Sequence, residues 1–204
     1  EMLADHVDPD ALMERLLAAE RRNLGHYGFG IKGFTLSMIE TAIEVTKGAV
    51  PTSVIGELVA MGREMLEHPI ELLPGVAEAV AALKNRAEIV LITKGDLLDQ
   101  ERKLAQSGLG EMFDAVEIVS HKTTEVYQRI FARHGAVRSM MVGNSLRSDV
   151  IPALHAGAWG VYVPHALTWE VEQAPKPDHH PRFHEIPTLD QLTALVDRLE
   201  HTTS

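Results

Sequence analysis

The chain has 204 residues, a formal net charge of -10 and no cysteine. Its length accommodates one full domain plus an accessory one, and its composition, 45% hydrophobic and 24% charged, is typical of a globular protein. The acidic balance argues against a nucleic-acid partner, because phosphate-backbone binding relies on a basic face. The lack of cysteine excludes disulfides and thiolate metal sites, and it fits a cytoplasmic location. No apolar run approaches the roughly 18 residues of a membrane helix, so we expect no membrane contact.

The first third of the chain has a helical pattern. Between Asp8 and His68, leucine, isoleucine and valine recur at spacings of three and four residues. Asp8 followed by Pro9 is typical of a helix start, and Pro69 follows the last helical stretch. These features predict a small helical-bundle domain over residues 1–69.

From about Ile70 the pattern changes to helices alternating with short apolar strands. This order predicts an α/β fold with a Rossmann-like parallel sheet over residues 70–204. The predicted helices cover residues 75–85, 97–107, 124–134, 149–156 and 189–200, and the predicted strands cover residues 88–93, 115–119, 139–142 and 160–163. The strand around Ile89–Ile92 is apolar throughout, as expected when helices cover both faces of a sheet.

Polar residues suited to one anionic ligand follow three of the predicted strands. Thr93-Lys94-Gly95 offers a hydroxyl, a cation and a glycine amide at the start of a helix. Lys122 follows the second strand, and Asn144 with Asp149 follows the third. Because open α/β sheets bind ligands beyond the carboxyl ends of their strands, we expect these side chains to converge.

The order of these motifs resembles the haloacid dehalogenase-like hydrolase superfamily. Leu73-Pro74-Gly75-Val76 is similar to the family's entry to its core, Leu91-Ile92-Thr93-Lys94-Gly95 to its second motif, and Lys122 to its third. Val142-Gly143-Asn144-Ser145 through Asp149 resembles the fourth motif. The resemblance runs from about Leu72 to Val163, and the upstream helices are placed like the family's helical cap of the C1 type.

The resemblance implies a magnesium-dependent phosphatase that acts on a small phosphorylated metabolite through an aspartyl-phosphate. Thr93 would donate a hydrogen bond to the transferring phosphoryl group, and Lys122 would stabilise its charge. The backbone amide of Lys94 or Gly95 would be a further donor to the substrate. Asn144 and Asp149 would hold Mg²⁺.

The chain departs from the family pattern in two ways. Asn144 stands where the family usually has an aspartate, so we expect a weaker Mg²⁺ site. The family's first motif, an apolar strand ending in Asp-x-Asp that carries the nucleophile, is not found; Asp8-Pro9-Asp10 follows no apolar strand and favours a helix N-cap. In the family that strand lies between those ending at Thr93 and Val142, and without it backbone groups would lack partners. We therefore expect the biological chain to continue upstream of Glu1.

Two alternative functions remain open from the sequence. A metal-independent dehalogenase of the haloacid type is favoured by Asn144, although Gly143 is more typical of the phosphatases. A catalytically degenerate binding protein is favoured by the same asparagine and by the missing nucleophile. Retention of Thr93, Lys122 and Asp149 together opposes that second alternative, since a scaffold has no physical need for this set.

A glycine-rich segment, Gly28–Gly33, matches the dinucleotide-binding pattern G-x-G-x-x-G. That pattern requires a preceding strand, and the residues before Gly28 are helical in pattern. The segment is therefore predicted to be a flexible loop of the cap. From such a loop Lys32, Phe34 or Tyr27 is expected to contact the substrate.

The segment from about Thr168 to His184 contains three prolines and three histidines. His180 and His184 have a helical spacing suited to metal binding, but the surrounding prolines oppose a helix there. We predict an exposed loop rather than a metal site, with His179, His180 and His184 all in that loop.

Overall fold

The computed structural model describes residues 8–135, 138–166 and 172–202, and within them helices alternate with short strands. No helix in this part of the chain is long and apolar enough to cross a membrane. The elements are α1 (Pro9–Tyr27), α2 (Ile31–Val45), α3 (Thr52–Glu67), α4 (Val76–Leu83), β1 (Val90–Lys94), α5 (Leu97–Ser107), β2 (Ala115–Val119), α6 (Thr124–Arg133), β3 (Met140–Gly143), α7 (Ile151–His155), β4 (Trp159–Tyr162), β5 (Phe183–Glu185) and α8 (Leu192–Thr202).

The described residues form two compact units. The first contains the residues up to Ile70 together with residues 94–106, and the second contains residues 71–93 and the residues from Ser107 onward. The sequence prediction placed the domain boundary between residues 69 and 70, so it assigned residues 94–106 to the domain that contains the sheet. Contacts of Lys94 and Asp96 with the first unit, described below, account for this difference.

The first unit contains α1, α2 and α3 together with nearly all of α5. Asp8 caps α1 because its side chain accepts a hydrogen bond of 3.1 Å from the Asp10 amide, and proline follows at the first helical position. The predicted N-cap is thus confirmed. The apolar faces of α2 and α3 bury Ala42, Val54 and Leu58 in one cluster.

The second unit contains two sheets. β1 and β2 form one, while β3, β4 and β5 form the other, with β4 in the centre and parallel to both neighbours. Val142 lies opposite Val161, and Val161 lies opposite His184. Val161 is fully buried, and it packs in a cluster with Leu195 of α8. The mixed α/β architecture with parallel strands is the one that the sequence predicts.

A cavity of about 610 Å³ in the second unit is lined by β1 and β3, which belong to different sheets. Consecutive residues of both strands line it, Val90–Ile92 from β1 and Met140–Val142 from β3. Successive side chains of a strand point to opposite faces, so a run of consecutive lining residues means that each strand presents its edge. Protein interiors are normally close-packed, and a space of this size between two strand edges is therefore exceptional.

The prediction that His184 lies in an exposed loop is wrong. It lies on β5 rather than in a loop, because residues 183–185 pair with β4. Its ring stacks on that of Trp159 with 5.5 Å between centroids. Burial lowers the pKa of the ring, and the nearby charge of Arg198 lowers it further. Residues 167–171, which include the start of the predicted loop, lie outside the described part of the chain.

His134, at the end of α6, makes the free energy of unfolding depend on pH. Its Nδ1 lies 2.6 Å from Glu88 and its Nε2 3.3 Å from Glu117, and the hydrogen bond with Glu88 is the main cause that raises the pKa of the ring. The stabilisation by the charged ring is complete below the unfolded pKa of about 6.5 and is lost as pH rises through the higher folded value. We expect His134→Gln to destabilise the protein more at pH 6 than at pH 9, as measured by urea unfolding. An equal loss at both pH values would contradict this.

Candidate active site

A buried ion pair joins two of the residues that the sequence singled out. Lys122 Nζ donates to Asp149 Oδ1 at 2.7 Å, and the two side chains are only 11% and 6% exposed. Lys122 lies between β2 and α6, next to Thr123, which caps α6 by accepting from the Val126 amide. A buried charge is tolerated only when it is paired and hydrogen-bonded, so this contact fixes both side chains.

Asp149 is held in place by the turn that follows β3. Ser145 donates its backbone N–H to Asp149 Oδ2 at 3.1 Å, and its carbonyl accepts from the amides of Asp149 and Val150. Residues Leu146–Val150 consequently form a π-helical turn before α7, not the regular helix predicted from Asp149 onward. Single π-helical turns are frequent at functional sites. Here the turn directs the carboxylate back towards the end of β3.

Gly143 is required for this arrangement. A Cβ added at Gly143 would lie only 2.5 Å from Cγ of Asp149, and closer still to one of its carboxylate oxygens. The carboxylate therefore fits beside the end of β3 only because the strand ends in a glycine. The glycine of the predicted fourth motif has a steric purpose that the sequence alone does not reveal.

Tyr127 of α6 is a site residue that sequence reasoning missed. Its side chain is fully buried, and its hydroxyl donates to the Ser148 carbonyl at 3.1 Å. Burial, and then the charges of Asp149 and Glu172, raise the pKa of the phenol. Tyr127 is therefore a neutral hydrogen-bond donor to the turn. The three-residue spacing of Tyr127 and Ile130 on the buried face of α6 indicates burial but not this bond.

Glu172 is the second missed residue. Its Oε2 accepts hydrogen bonds from the hydroxyls of Ser145, at 2.5 Å, and Ser148. It lies 27 residues from Ser145 along the chain, beyond β4, and belongs to no motif. A contact over this separation follows from packing, so no local pattern predicts it.

The other predicted residues of the second unit have different surroundings. Thr93 is half-buried near the end of β1. Asn144 is exposed at the start of the turn, directly before the buried Ser145. The site thus has a buried charged centre, Lys122 with Asp149, and an exposed amide beside it.

Three predicted substrate-binding residues, Lys32, Lys94 and Gly95, belong to the first unit. Lys94 Nζ lies 3.9 Å from the centroid of the Phe29 ring, and Lys32 Nζ lies 3.0 Å from Asp96 Oδ2. The hydrogen bond from Lys32 lowers the pKa of Asp96. Lys32 is on α2 and not in the predicted loop, since that helix begins at the preceding residue. Gly95 has a φ of 142°, a conformation that favours glycine.

Asn144 and Asp149 are the candidate metal ligands. Their oxygen donors are of the kind that Mg²⁺ prefers. The described residues include no group of three His, Cys, Asp or Glu side chains placed to hold a metal. Both oxygens of Asp149 also have protein partners, Lys122 Nζ and the Ser145 amide. The donors therefore fit Mg²⁺ in kind, and further anionic charge is needed to complete a site.

The family model for haloacid dehalogenase-like hydrolases matches residues 5–157. The chain belongs to this family. A haloacid dehalogenase-like family hydrolase from Xanthomonas campestris is 43% identical, covers 98% of this chain and 81% of its own, and superposes with a TM-score of 0.86. No curated protein shows a significant match. The chain is accordingly a haloacid dehalogenase-like hydrolase, and the predicted family and fold are confirmed.

Two more distant structures share the fold. The putative HAD-hydrolase YfnB from Bacillus subtilis, bound to magnesium, is 15% identical with a TM-score of 0.64, covering 95% of this chain and 87% of its own. The L-2-haloacid dehalogenase from Xanthobacter autotrophicus, with chloropropionic acid covalently bound, is 19% identical with a TM-score of 0.63, covering 91% and 84%. At these identities the likeness concerns the fold, so it does not decide between phosphate and halide chemistry.

Proposed function

We propose that this haloacid dehalogenase-like hydrolase is a magnesium-dependent phosphatase of a small phosphorylated metabolite. The observation that carries the proposal is the buried pair formed by Lys122 and by Asp149 of the turn after Gly143. An ammonium group fixed at this depth is suited to a substrate that brings several negative charges. Preorganised charge of this kind is usually the largest contribution to catalysis of such reactions.

In the proposed mechanism, Lys122 stabilises the negative charge that the phosphoryl group carries during transfer. Asp149 fixes the direction of the ammonium group, and the Thr93 hydroxyl donates a hydrogen bond to a phosphoryl oxygen. The predicted contacts with the substrate also include Lys32, Lys94 and Gly95. When bound, Mg²⁺ supplies positive charge that offsets the charge of phosphate and nucleophile, with Asn144 and Asp149 holding it.

The nucleophile is proposed to be a carboxylate on a further strand that fills the cavity between β1 and β3. Asp149 is unsuited to this role because it is buried and its two oxygens accept from Lys122 Nζ and from the Ser145 amide. The carboxylate oxygen would form a bond to phosphorus while the ester P–O bond breaks, and the second carboxyl group of the Asp-x-Asp strand would give its proton to the leaving alcohol. Water would then cleave the aspartyl-phosphate and release inorganic phosphate. The two strand edges that face the cavity support this placement.

The test is phosphate release from p-nitrophenyl phosphate by the full-length protein. We expect activity that a chelator abolishes and added Mg²⁺ restores. Asn144→Asp adds a carboxylate at an exposed position of the turn, so it should lower the Mg²⁺ concentration needed for half-maximal activity. Asp190→Asn, at an exposed aspartate of the same unit, is the control and should leave that concentration unchanged. Phosphate release that is indifferent to the chelator would contradict the proposal.

A metal-independent dehalogenase is the second candidate. The neutral Asn144 supports it, since that chemistry requires no cation and hence no second carboxylate in the turn. Incubation of the same protein with 2-chloropropionate discriminates the two functions. Chloride release in the presence of the chelator, with p-nitrophenyl phosphate left intact, would establish the dehalogenase and exclude the phosphatase.

A further inference from the structure

Two carboxylates contact the turn that follows β3, and only one of them belongs to a residue of the turn. Asp149 is the first, and Glu172, which arrives from the chain beyond β4, is the second. The carboxylate of Glu172 accepts from Ser145 Oγ at 2.5 Å and also from Ser148 Oγ. Ser145, Ser148 and Asp149 are 6%, 8% and 4% exposed. The carboxylate of the half-buried Glu172 therefore contacts two buried hydroxyl groups.

The Ser145 hydroxyl has two acceptors, and both belong to Glu172: Oε2 at 2.5 Å and the backbone carbonyl at 3.3 Å. Its oxygen accepts from the Ser148 amide at 2.9 Å, so its proton is available to Glu172. The backbone amide of Ser145 donates to Asp149 Oδ2 at 3.1 Å. Ser145 therefore connects the two carboxylates, one through its side chain and the other through its backbone. A change in the position of Glu172 is transmitted to Asp149 through a single residue.

The two carboxylates also act electrostatically on the same small region. The pKa of the Tyr127 phenol is raised first by burial and then by the charges of Asp149 and Glu172. Tyr127 donates to the Ser148 carbonyl, within the turn itself. Both negative charges therefore act on the turn that begins directly after the exposed Asn144.

We propose that Glu172 is a positioning residue of the cation site, which fixes the Ser145–Asp149 turn and supplies the negative charge that Asn144 lacks. The inference rests on the proposed metal-dependent function and adds to it a residue from outside all four family motifs. Groups that orient metal ligands typically change metal affinity by about 10- to 100-fold when they are replaced. Glu172 acts through the two serines, so its loss should weaken cation binding more than folding.

The test measures Mn²⁺ binding directly, by titration calorimetry, and requires no turnover. Glu172→Gln keeps an oxygen that accepts from the serine hydroxyls but removes the charge, whereas Glu172→Ala removes both. We expect Glu172→Gln to weaken Mn²⁺ binding about tenfold, at the low end of the range for such groups, with an unchanged melting temperature. Glu172→Ala should weaken binding further and also lower the melting temperature. Glu78→Gln, which removes one charge from an exposed site on α4, is the control and should bind as the wild type does.

Each outcome is decisive. If Glu172→Gln binds Mn²⁺ as tightly as the wild type does, the inference is overturned and the proposed function stands. An equal loss in Glu78→Gln would overturn it too, because the effect would then reflect net charge. A wild-type protein that binds no Mn²⁺ would contradict the metal chemistry of the proposed function, and the inference would fall with it.

Discussion

Replacement of Lys122 by methionine should lower the free energy of unfolding by about 3–5 kcal/mol, the range for breaking a buried ion pair from one side. Methionine occupies a similar volume, so packing is largely kept while the ammonium group is lost. The carboxylate of Asp149 then stays buried with the Ser145 amide as its remaining partner in the turn. Urea unfolding of the variant and the wild type measures the difference.

Lys176→Met is the matched control for this prediction. Lys176 lies 2.6 Å from Glu185, but the two side chains are 45% and 35% exposed. Exposed pairs of this kind contribute about 0–1 kcal/mol. The double variant Lys122→Met with Asp149→Asn should recover part of the loss, because it removes the orphaned charge. A loss in Lys122→Met as small as that in Lys176→Met would show that the buried pair does not stabilise the turn.

Local patterns were sufficient to predict most of the fold. The bounds of α5 and β2 were predicted to the residue, because each is a periodic or apolar run that begins and ends at a clear change of composition. Lys122 and Asp149 were predicted to converge because each follows a strand of the α/β core, and the rule for the carboxyl ends of strands applies to both. The sequence therefore predicted the charged centre of the candidate site as well as its scaffold.

The features that sequence reasoning missed depend on contacts between distant segments. Glu172 reaches Ser145 across 27 residues, and Tyr127 reaches Ser148 across 21. Neither contact leaves a periodic or spaced pattern in the sequence. The π-helical turn was missed for a related reason: a carboxylate that bonds back to the Ser145 amide selects it, and helix propensity does not report that bond. Specific side-chain hydrogen bonds, two between distant segments and one within the turn, determine these details.

Replacement of Gly143 by alanine should lower the free energy of unfolding by about 1–3 kcal/mol, the usual cost of overpacking. The added methyl group would lie 2.5 Å from Cγ of Asp149, which is too close for two unbonded carbons. The carboxylate must then move, and it can do so only by giving up part of its contact with Lys122 or with the Ser145 amide. Urea unfolding gives the stability change, and Mn²⁺ titration of the variant and the wild type tests whether the substitution alters the proposed cation binding.

Gly110→Ala separates this steric effect from the general effect of adding a methyl group. A Cβ at Gly110 meets open space, so we expect its stability to stay within about 0.5 kcal/mol of the wild type. Combination with Lys122→Met provides a second check. Both Gly143→Ala and Lys122→Met act on the same carboxylate, and substitutions that share a partner are not additive. The double variant should therefore lose less stability than the sum of the two single variants, and full additivity would mean that Gly143 and Lys122 act on the turn independently.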